Sequence, residues 1–205
     1  MERYLITQSL LSAWGYMFDC FEGCEDDARE EFIKTLRREE KPTTPEMQNG
    51  IDFEDAVYAE AAGRPRKAYP AWEKGISKVA AIVRGAPVQV RAKRPITVDG
   101  MDFLIYGVLD ALKAGTIYDV KFKNKSFNSL DLAGDFMNSP QHPAYFYLVP
   151  EATEFRYLVS DGSDIYIEPY TREGTPFIGD IIHDFIESIR SMGLMELYKE
   201  KWLAK

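Results

Sequence analysis

Residues 88–122 read VQVRAKRPITVDGMDFLIYGVLDALKAGTIYDVKF, and this stretch decides the fold. Val88, Val90, Ile96 and Val98 lead into Asp99-Gly100, a strong signal for a two-residue hairpin turn. Met101 to Leu112 reads as the return strand, Ala114-Gly115 as a second tight turn, and Ile117 to Phe122 as a third strand. In a strand, residues two apart share a face, so Asp119 and Lys121 point the same way and Val120 points opposite. A two-residue turn at Ala114-Gly115 pairs Lys113 with Thr116 and, counting back, Asp110 with Asp119. The Cβ atoms of such a pair lie about 4.5–5.5 Å apart.

Upstream, Thr44-Pro45-Glu46 is a helix start, with a capping Thr before Pro at the first helical position, and the helix is predicted to reach Ala62. A further helix fits Pro70 to Arg84. Nearer the start, Thr7 is placed to cap a helix with Leu10, Trp14, Phe18 and Phe21 at helical spacing, and Glu25 to Arg38 carries Phe32 and Leu36 inward. Downstream, Pro140 to Val149 suits a helix, and a hairpin turns at Asp161-Gly162 between Phe155–Val159 and Ile165–Ile167. The tail from Phe177 is helical, with a break at Gly193. Helices, three strands, a helix and further strands make an α+β chain. The expectation is a single domain over 1–205, with an N-terminal helical part at 1–44, a core at 45–170 and C-terminal helices at 171–205.

Composition is that of a globular protein, 45% hydrophobic and 13% aromatic over 205 residues. Its apolar runs are too short to span a bilayer, and Met1-Glu2-Arg3 does not open a signal peptide. A cytoplasmic protein with no membrane partner is expected. Cys20 and Cys24 have no second cysteine pair with which to build a metal cluster. The net charge of −8 argues against nucleic acid until its distribution is read. Residues 64–98 carry nine basic side chains, among them Arg64, Arg66 and Lys67, and only Glu73 on the acidic side. A basic band inside an acidic chain is a plausible footprint for a polyanion, because potential is local while net charge is global; a solvated charged face is the alternative.

Two carboxylates facing each other repel unless one is protonated or a cation lies between them. An all-oxygen site favours Mg²⁺ or Mn²⁺ over zinc. Lys121 on the same face adds positive charge beside a phosphate or an attacking water. Together these supply what phosphodiester hydrolysis needs. D-x-K is nonetheless a common triplet, and ordinary strand-end residues account for it as well.

Gly107-Val108-Leu109-Asp110 followed by Asp119-Val120-Lys121 resembles the paired motifs of the PD-(D/E)XK nucleases, the RecB-like exonuclease branch above all. That branch has two further marks, and both have counterparts in order: Gly50 with Glu54 four residues later, and Gln141-His142-Pro143-Ala144-Tyr145 for Q-x-x-x-Y. The resemblance covers about half the chain. It implies a restriction-endonuclease-like core of a helix, three antiparallel strands, a helix and a strand. It also implies that Glu54, Asp110, Asp119 and the Val120 carbonyl ligate Mg²⁺ or Mn²⁺, that Lys121 orients water or stabilises the phosphorus centre, that Gln141 buttresses the site and that Tyr145 lies toward the nucleic acid. Leu109 stands where the family's Pro would be, and Glu54 where RecB-like members have His. An iron–sulfur cluster, which some relatives hold on four cysteines, is not expected.

The function expected is a Mg²⁺-dependent DNA exonuclease of the recombination type, acting on a DNA substrate, with a homo-oligomer or a recombination partner protein compatible with it. Arg64, Arg66, Lys67 and Lys123 are the further candidate phosphate contacts. A structure- or sequence-specific endonuclease on the same core and a catalytically silent nucleic-acid-binding module are the alternatives, and a hydrolase of a small phosphorylated compound is a remote fourth. His142 is expected at the surface of a helix start and His183 in a structural role.

Overall fold

The computed structural model describes residues 2–204. In chain order these form β1 (Arg3–Thr7), α1 (Gln8–Asp19), α2 (Glu25–Leu36), α3 (Pro45–Ala61) and α4 (Glu73–Val83). Then come β2 (Val88–Val98), β3 (Met101–Lys113), β4 (Thr116–Phe122), α5 (Ser129–Leu132) and α6 (Gln141–Leu148). The chain closes with β5 (Glu154–Ser160), β6 (Ile165–Thr171), α7 (Ile178–Ser191) and α8 (Met195–Lys201). The class is α+β, built on one mixed six-stranded sheet. No helix among the described residues is long and apolar enough to cross a membrane.

Local chemistry explains most of these elements. Asp99 and Gly100 have φ of +51° and +75°, and Ala114 and Gly115 of +50° and +81°, so both hairpins turn through two left-handed residues. Thr44 Oγ1 accepts from Met47 N at 3.2 Å, and Thr7 Oγ1 from Leu10 N at 3.2 Å, each satisfying a donor that its helix leaves unpaired.

β3 is the spine. Along one edge it pairs antiparallel with β2 from Val98↔Met101 to Val88↔Ala111. The other edge is shared between two strands. β1 runs parallel to residues 102–106, and β4 runs antiparallel to residues 111–113. β4 continues the sheet parallel to β5, and β5 antiparallel to β6.

β1 was not expected from the sequence. Five residues are too few for alternation to declare a strand, and its partners lie some hundred residues away in β3. The other end of the chain closes over it: Leu5 N donates to Trp202 O at 2.6 Å, and Ala204 N to Arg3 O at 2.8 Å. Both ends therefore share the main core with the sheet. Leu10, Phe32, Phe185 and Tyr198 pack there with Phe103 and Phe155. A second core joins α3 and α4 to the sheet through Phe53, Val57, Ile76, Ala111, Tyr118 and Val120. Phe18, spaced as a core residue of α1, is instead 65% exposed, and Phe21 falls beyond the end of the helix and is 72% exposed.

Burial alternates without a break along β3, but the core that its inward side chains join changes once. Leu109 packs in the main core, yet Ala111, two residues on, packs in the α3–α4 core. Opposite the break, Gln89 of β2 has φ of +53°, a conformation that a Gln seldom adopts within a strand. The strands turn over here, at Asp110.

The two histidines are both structural, in opposite settings. His142 is buried, against the surface role expected of it; its ring stacks on Tyr170 at 4.1 Å and its Nδ1 lies 3.3 Å from the Tyr157 hydroxyl. Burial lowers its pKa from 6.5 to about 4. His183 on α7 is exposed and meets Asp99 of the β2–β3 turn at 2.7 Å, and the hydrogen bond and charge of Asp99 raise its pKa above 6.5. The His183 contact therefore stabilises the fold at low pH and is lost as pH rises through its raised pKa. The His142 site has the opposite sign, destabilising the fold as pH falls from 6.5 toward about 4. An NMR titration of the two imidazoles should find one protonating above the ordinary value and the other neutral down to about 4. Two ordinary titrations would contradict both environments.

Candidate active site

The shared edge of β3 leaves a gap. β1 pairing ends at Thr7↔Tyr106 and β4 pairing begins at Ala111↔Tyr118, so residues 107–110 have no strand partner on that side. The register at the turn is the one the two-residue loop dictates, Lys113 against Thr116. The ladder stops one pair before Asp110 would meet Asp119. Instead Val120 N donates to Asp110 Oδ2 at 2.8 Å. A side chain has taken the place of a main-chain partner, and both aspartates border the opening.

α6 fills the gap from one side. The Tyr145 hydroxyl donates to the Val108 carbonyl at 2.8 Å. Its ring lies so close to Gly107 that a Cβ there would stand 2.6 Å from Tyr145 Cε1 and 2.9 Å from Leu148 Cδ1. One turn earlier, Gln141 Nε2 donates to Asp119 Oδ1. Gly107, Asp119, Gln141 and Tyr145, drawn from three separate motifs, thus fit together as one assembly. Gly50 differs: a Cβ there meets nothing within 4 Å, so the fold itself gives no reason for that glycine.

Asp119 is only 1% exposed. Its Oδ2 is held by Lys121 Nζ at 2.6 Å in a charge-assisted contact. Glu54, from α3, accepts from the Tyr58 hydroxyl at 3.1 Å and shares a hydrogen bond with Asp110. Burial raises the Glu54 pKa and the charge of Asp119 adds to the rise, while the hydrogen bonds from Asp110 and Tyr58 oppose it. Burial, then the charges of Asp119 and Glu54, lift Asp110 well above the carboxylate range. Burial alone would lower the Lys121 pKa, but attraction to Asp119, Asp110 and Glu54 outweighs it and holds the ammonium above its ordinary value. The chain answers three clustered carboxyls with a hydrogen bond between Glu54 and Asp110 and with one lysine set on the third.

As they stand, no three His, Cys, Asp or Glu side chains among the described residues are grouped to hold an ion. The donors nonetheless suit a hard divalent cation: they are carboxylates only, largely buried, and among the described residues Lys121 is the one cation paired with them.

Other expected contacts fall elsewhere. Tyr145 is buried with its hydroxyl engaged, so it positions the sheet and offers no face to a base. Arg66 is not free for phosphate. It forms ion pairs with Glu60 at 2.7 Å and with Glu73, in a half-enclosed setting. Lys123 pairs with Asp135 at 2.9 Å, and Lys67 lies over the Tyr69 ring at 4.9 Å. Arg64 is exposed, as are Arg91 and Lys93 on β2. Two contributors were missed. Tyr58 stands one helical turn after Glu54, a spacing that could have revealed it. Gln89, whose side chain hydrogen-bonds the Tyr58 hydroxyl, gives no signal in the sequence.

No family model and no curated protein matches the chain. Among solved structures, the crystal structure of SSO0001 is 16% identical, with a TM-score of 0.54 over 92% of this chain and 78% of that one. Two crystal structures of Scheffersomyces stipitis Rai1, one with (3'-NADP)+ and calcium ion, are 10% and 11% identical, with TM-scores of 0.40 and 0.38. They cover 91% of this chain, which spans only 61% of theirs. The first likeness bears on the fold alone, and the Rai1 likeness is too loose to carry an argument.

The fit of Tyr145 on Gly107 can be tested by denaturation. Gly107→Ala should destabilise the fold by about 1–3 kcal/mol through overpacking. Gly50→Ala, in open space inside α3, should stabilise it by up to about 1 kcal/mol through helix propensity. Equal effects at the two glycines would sink the close-packing account.

Proposed function

We propose that the chain is a metal-dependent nuclease of the PD-(D/E)XK type, with a restriction-endonuclease-like core, that hydrolyses DNA phosphodiester bonds as an exonuclease. The observation that carries this reading is the convergence of Glu54, Asp110, Asp119 and Lys121 on one break in the sheet, with Gln141 holding Asp119. A nucleic-acid-binding module without catalysis gains nothing from three carboxyls that repel phosphate. A reaction that needs a divalent cation does.

In this reading Glu54, Asp110 and Asp119 hold Mg²⁺ or Mn²⁺, with the Val120 carbonyl as a further ligand. When bound, the ion supplies a Lewis acid and a counter-charge for the phosphate. Gln141 keeps Asp119 oriented through its amide, and Tyr58 does the same for Glu54. Lys121 remains protonated at neutral pH, since its pKa is raised. It therefore acts as a hydrogen-bond donor to a phosphate oxygen or to the attacking water, stabilising charge that develops in the transition state, and not as a base. With Arg66 neutralised by Glu60 and Glu73, approach to the phosphate backbone falls to the exposed Arg64, Arg91 and Lys93, together with Lys67.

End-labelled linear DNA and circular DNA, incubated with Mg²⁺, Mn²⁺ or EDTA, test the proposal. Linear DNA should be degraded from its ends with either metal and left intact in EDTA. Lys121→Ala should lower turnover by orders of magnitude, roughly 10²–10³-fold, while metal still binds. Cleavage by Lys121→Ala within a few-fold of the parent would remove Lys121 from the chemistry. Cutting of closed circles would make the enzyme an endonuclease.

A further inference from the structure

α6 has a second flank. At helical spacing, Pro143, Phe146 and Tyr147 point away from Gln141 and Tyr145, and they wall a cavity of about 250 Å³. Arg94 of β2, Arg172 just after β6 and the first turn of α7 close it. In a chain with 33 acidic residues, this cavity is lined by two guanidiniums and by no Asp or Glu.

The two arginines are fixed without being neutralised. Arg94 donates to the Tyr147 carbonyl at 2.9 Å and lies over the Tyr147 ring at 4.7 Å. Arg172 donates to the carbonyls of Val149, Pro150 and Ala152 at 2.8–3.0 Å and lies over the Phe146 ring at 5.1 Å. Carbonyls orient a guanidinium but cancel none of its charge, and among the described residues neither arginine makes an ion pair. Arg94 engages only Nη1, and Arg172 leaves its own Nη1 unpartnered among them, so both keep donors for a ligand. Two such charges in a partly enclosed cavity focus positive potential. α7, 14 residues long, starts at the same cavity with no side-chain cap, adding the positive end of its dipole, which the exposed Asp180 in its first turn offsets in part.

An aromatic surface stands at the cavity. Phe177, the residue before α7, is 56% exposed. One side of its ring is packed on Gly179, where a Cβ would stand 2.3 Å from the ring. The ring is held by this contact and by the Tyr147 ring, set edge-on against it at 6.3 Å, and more than half of its surface stays open to a planar group. Guanidinium forks match phosphate oxygens, and an open aromatic face suits a base.

We propose that this cavity binds a nucleoside 5′-phosphate, free or at the end of a strand, with its phosphate on Arg94, Arg172 and the start of α7 and its base on Phe177. The site is separate from the carboxylates and needs no metal. Binding measured in EDTA therefore stands or falls apart from the nuclease reading.

Calorimetric titration of the full chain in EDTA would use inorganic phosphate, thymidine and thymidine 5′-monophosphate as probes. The monophosphate should bind at least about tenfold more tightly than either part alone. Arg94→Gln should weaken it by about tenfold or more with the melting temperature unchanged. Phe177→Ala should bring it down to the affinity of phosphate and leave phosphate itself unaffected. Should Arg94→Gln unfold the protein, the exposed Phe177→Ala still carries the test. A hexathymidylate that binds more tightly than the monophosphate only when 5′-phosphorylated identifies a strand end as the source; one that binds no more tightly identifies the free nucleotide. No saturable binding of the monophosphate, or binding that both variants leave unchanged, overturns the site. Loss in Arg94→Gln with no change in Phe177→Ala overturns the base contact and with it the nucleotide.

Discussion

The β3–β4 ladder ends at Ala111↔Tyr118, and the next inward donor, Val120 N–H, turns to the Asp110 carboxylate at 2.8 Å instead of to a carbonyl. The rest of the site depends on that exchange. A sheet edge left open in the interior costs about 1–3 kcal/mol for each unpaired group, so the four residues before the ladder need other partners. Tyr145 supplies one by donating to the Val108 carbonyl, which it can reach only because Gly107 has no side chain. With Tyr145 seated, the preceding turn of α6 brings Gln141 to Asp119. The backbone irregularity and the cluster of functional groups are one feature.

The electrostatics follow from the same geometry. Three carboxyls are drawn together, and burial with mutual repulsion pushes Glu54 and Asp110 toward their protonated forms. The donors nearby are few: Val120 N–H, the Tyr58 hydroxyl, the Gln141 amide and the Lys121 ammonium. They orient the carboxyls more than they neutralise them, since only Lys121, on Asp119 Oδ2, brings a counter-charge. A cluster selected for stability alone would be better served by apolar side chains of similar volume. Its retention makes sense if a divalent cation completes it.

Much of this was legible because it is local. Asp99-Gly100 and Ala114-Gly115 announce two-residue turns, and the second fixes the register that lines Asp110 up toward Asp119. Thr44-Pro45 announces the helix that brings Glu54. What escaped is non-local. β1 is held by β3 and by the distant Trp202–Ala204 segment, neither visible in five residues of alternation. The reversal of the strands between Leu109 and Ala111, and the left-handed Gln89 opposite, have no signature in residue type. Counting charges along the chain also hid the pairing of Arg66 with Glu60 and Glu73, which lie six and seven residues away. Tyr145 was expected to lie toward the nucleic acid, whereas its hydroxyl and its fit against Gly107 are what the fold uses.

The central claim is that the break in the sheet is a metal site. The most direct measurement is an anomalous-scattering map from crystals of the chain grown or soaked with Mn²⁺, set beside one from Asp119→Asn crystals. The account predicts a single strong peak, or a close pair of peaks, bounded by Glu54, Asp110 and Asp119 in the parent and lost or greatly weakened in the variant. A map with no peak between those carboxylates at saturating Mn²⁺, or with its peak elsewhere on the chain, would contradict it.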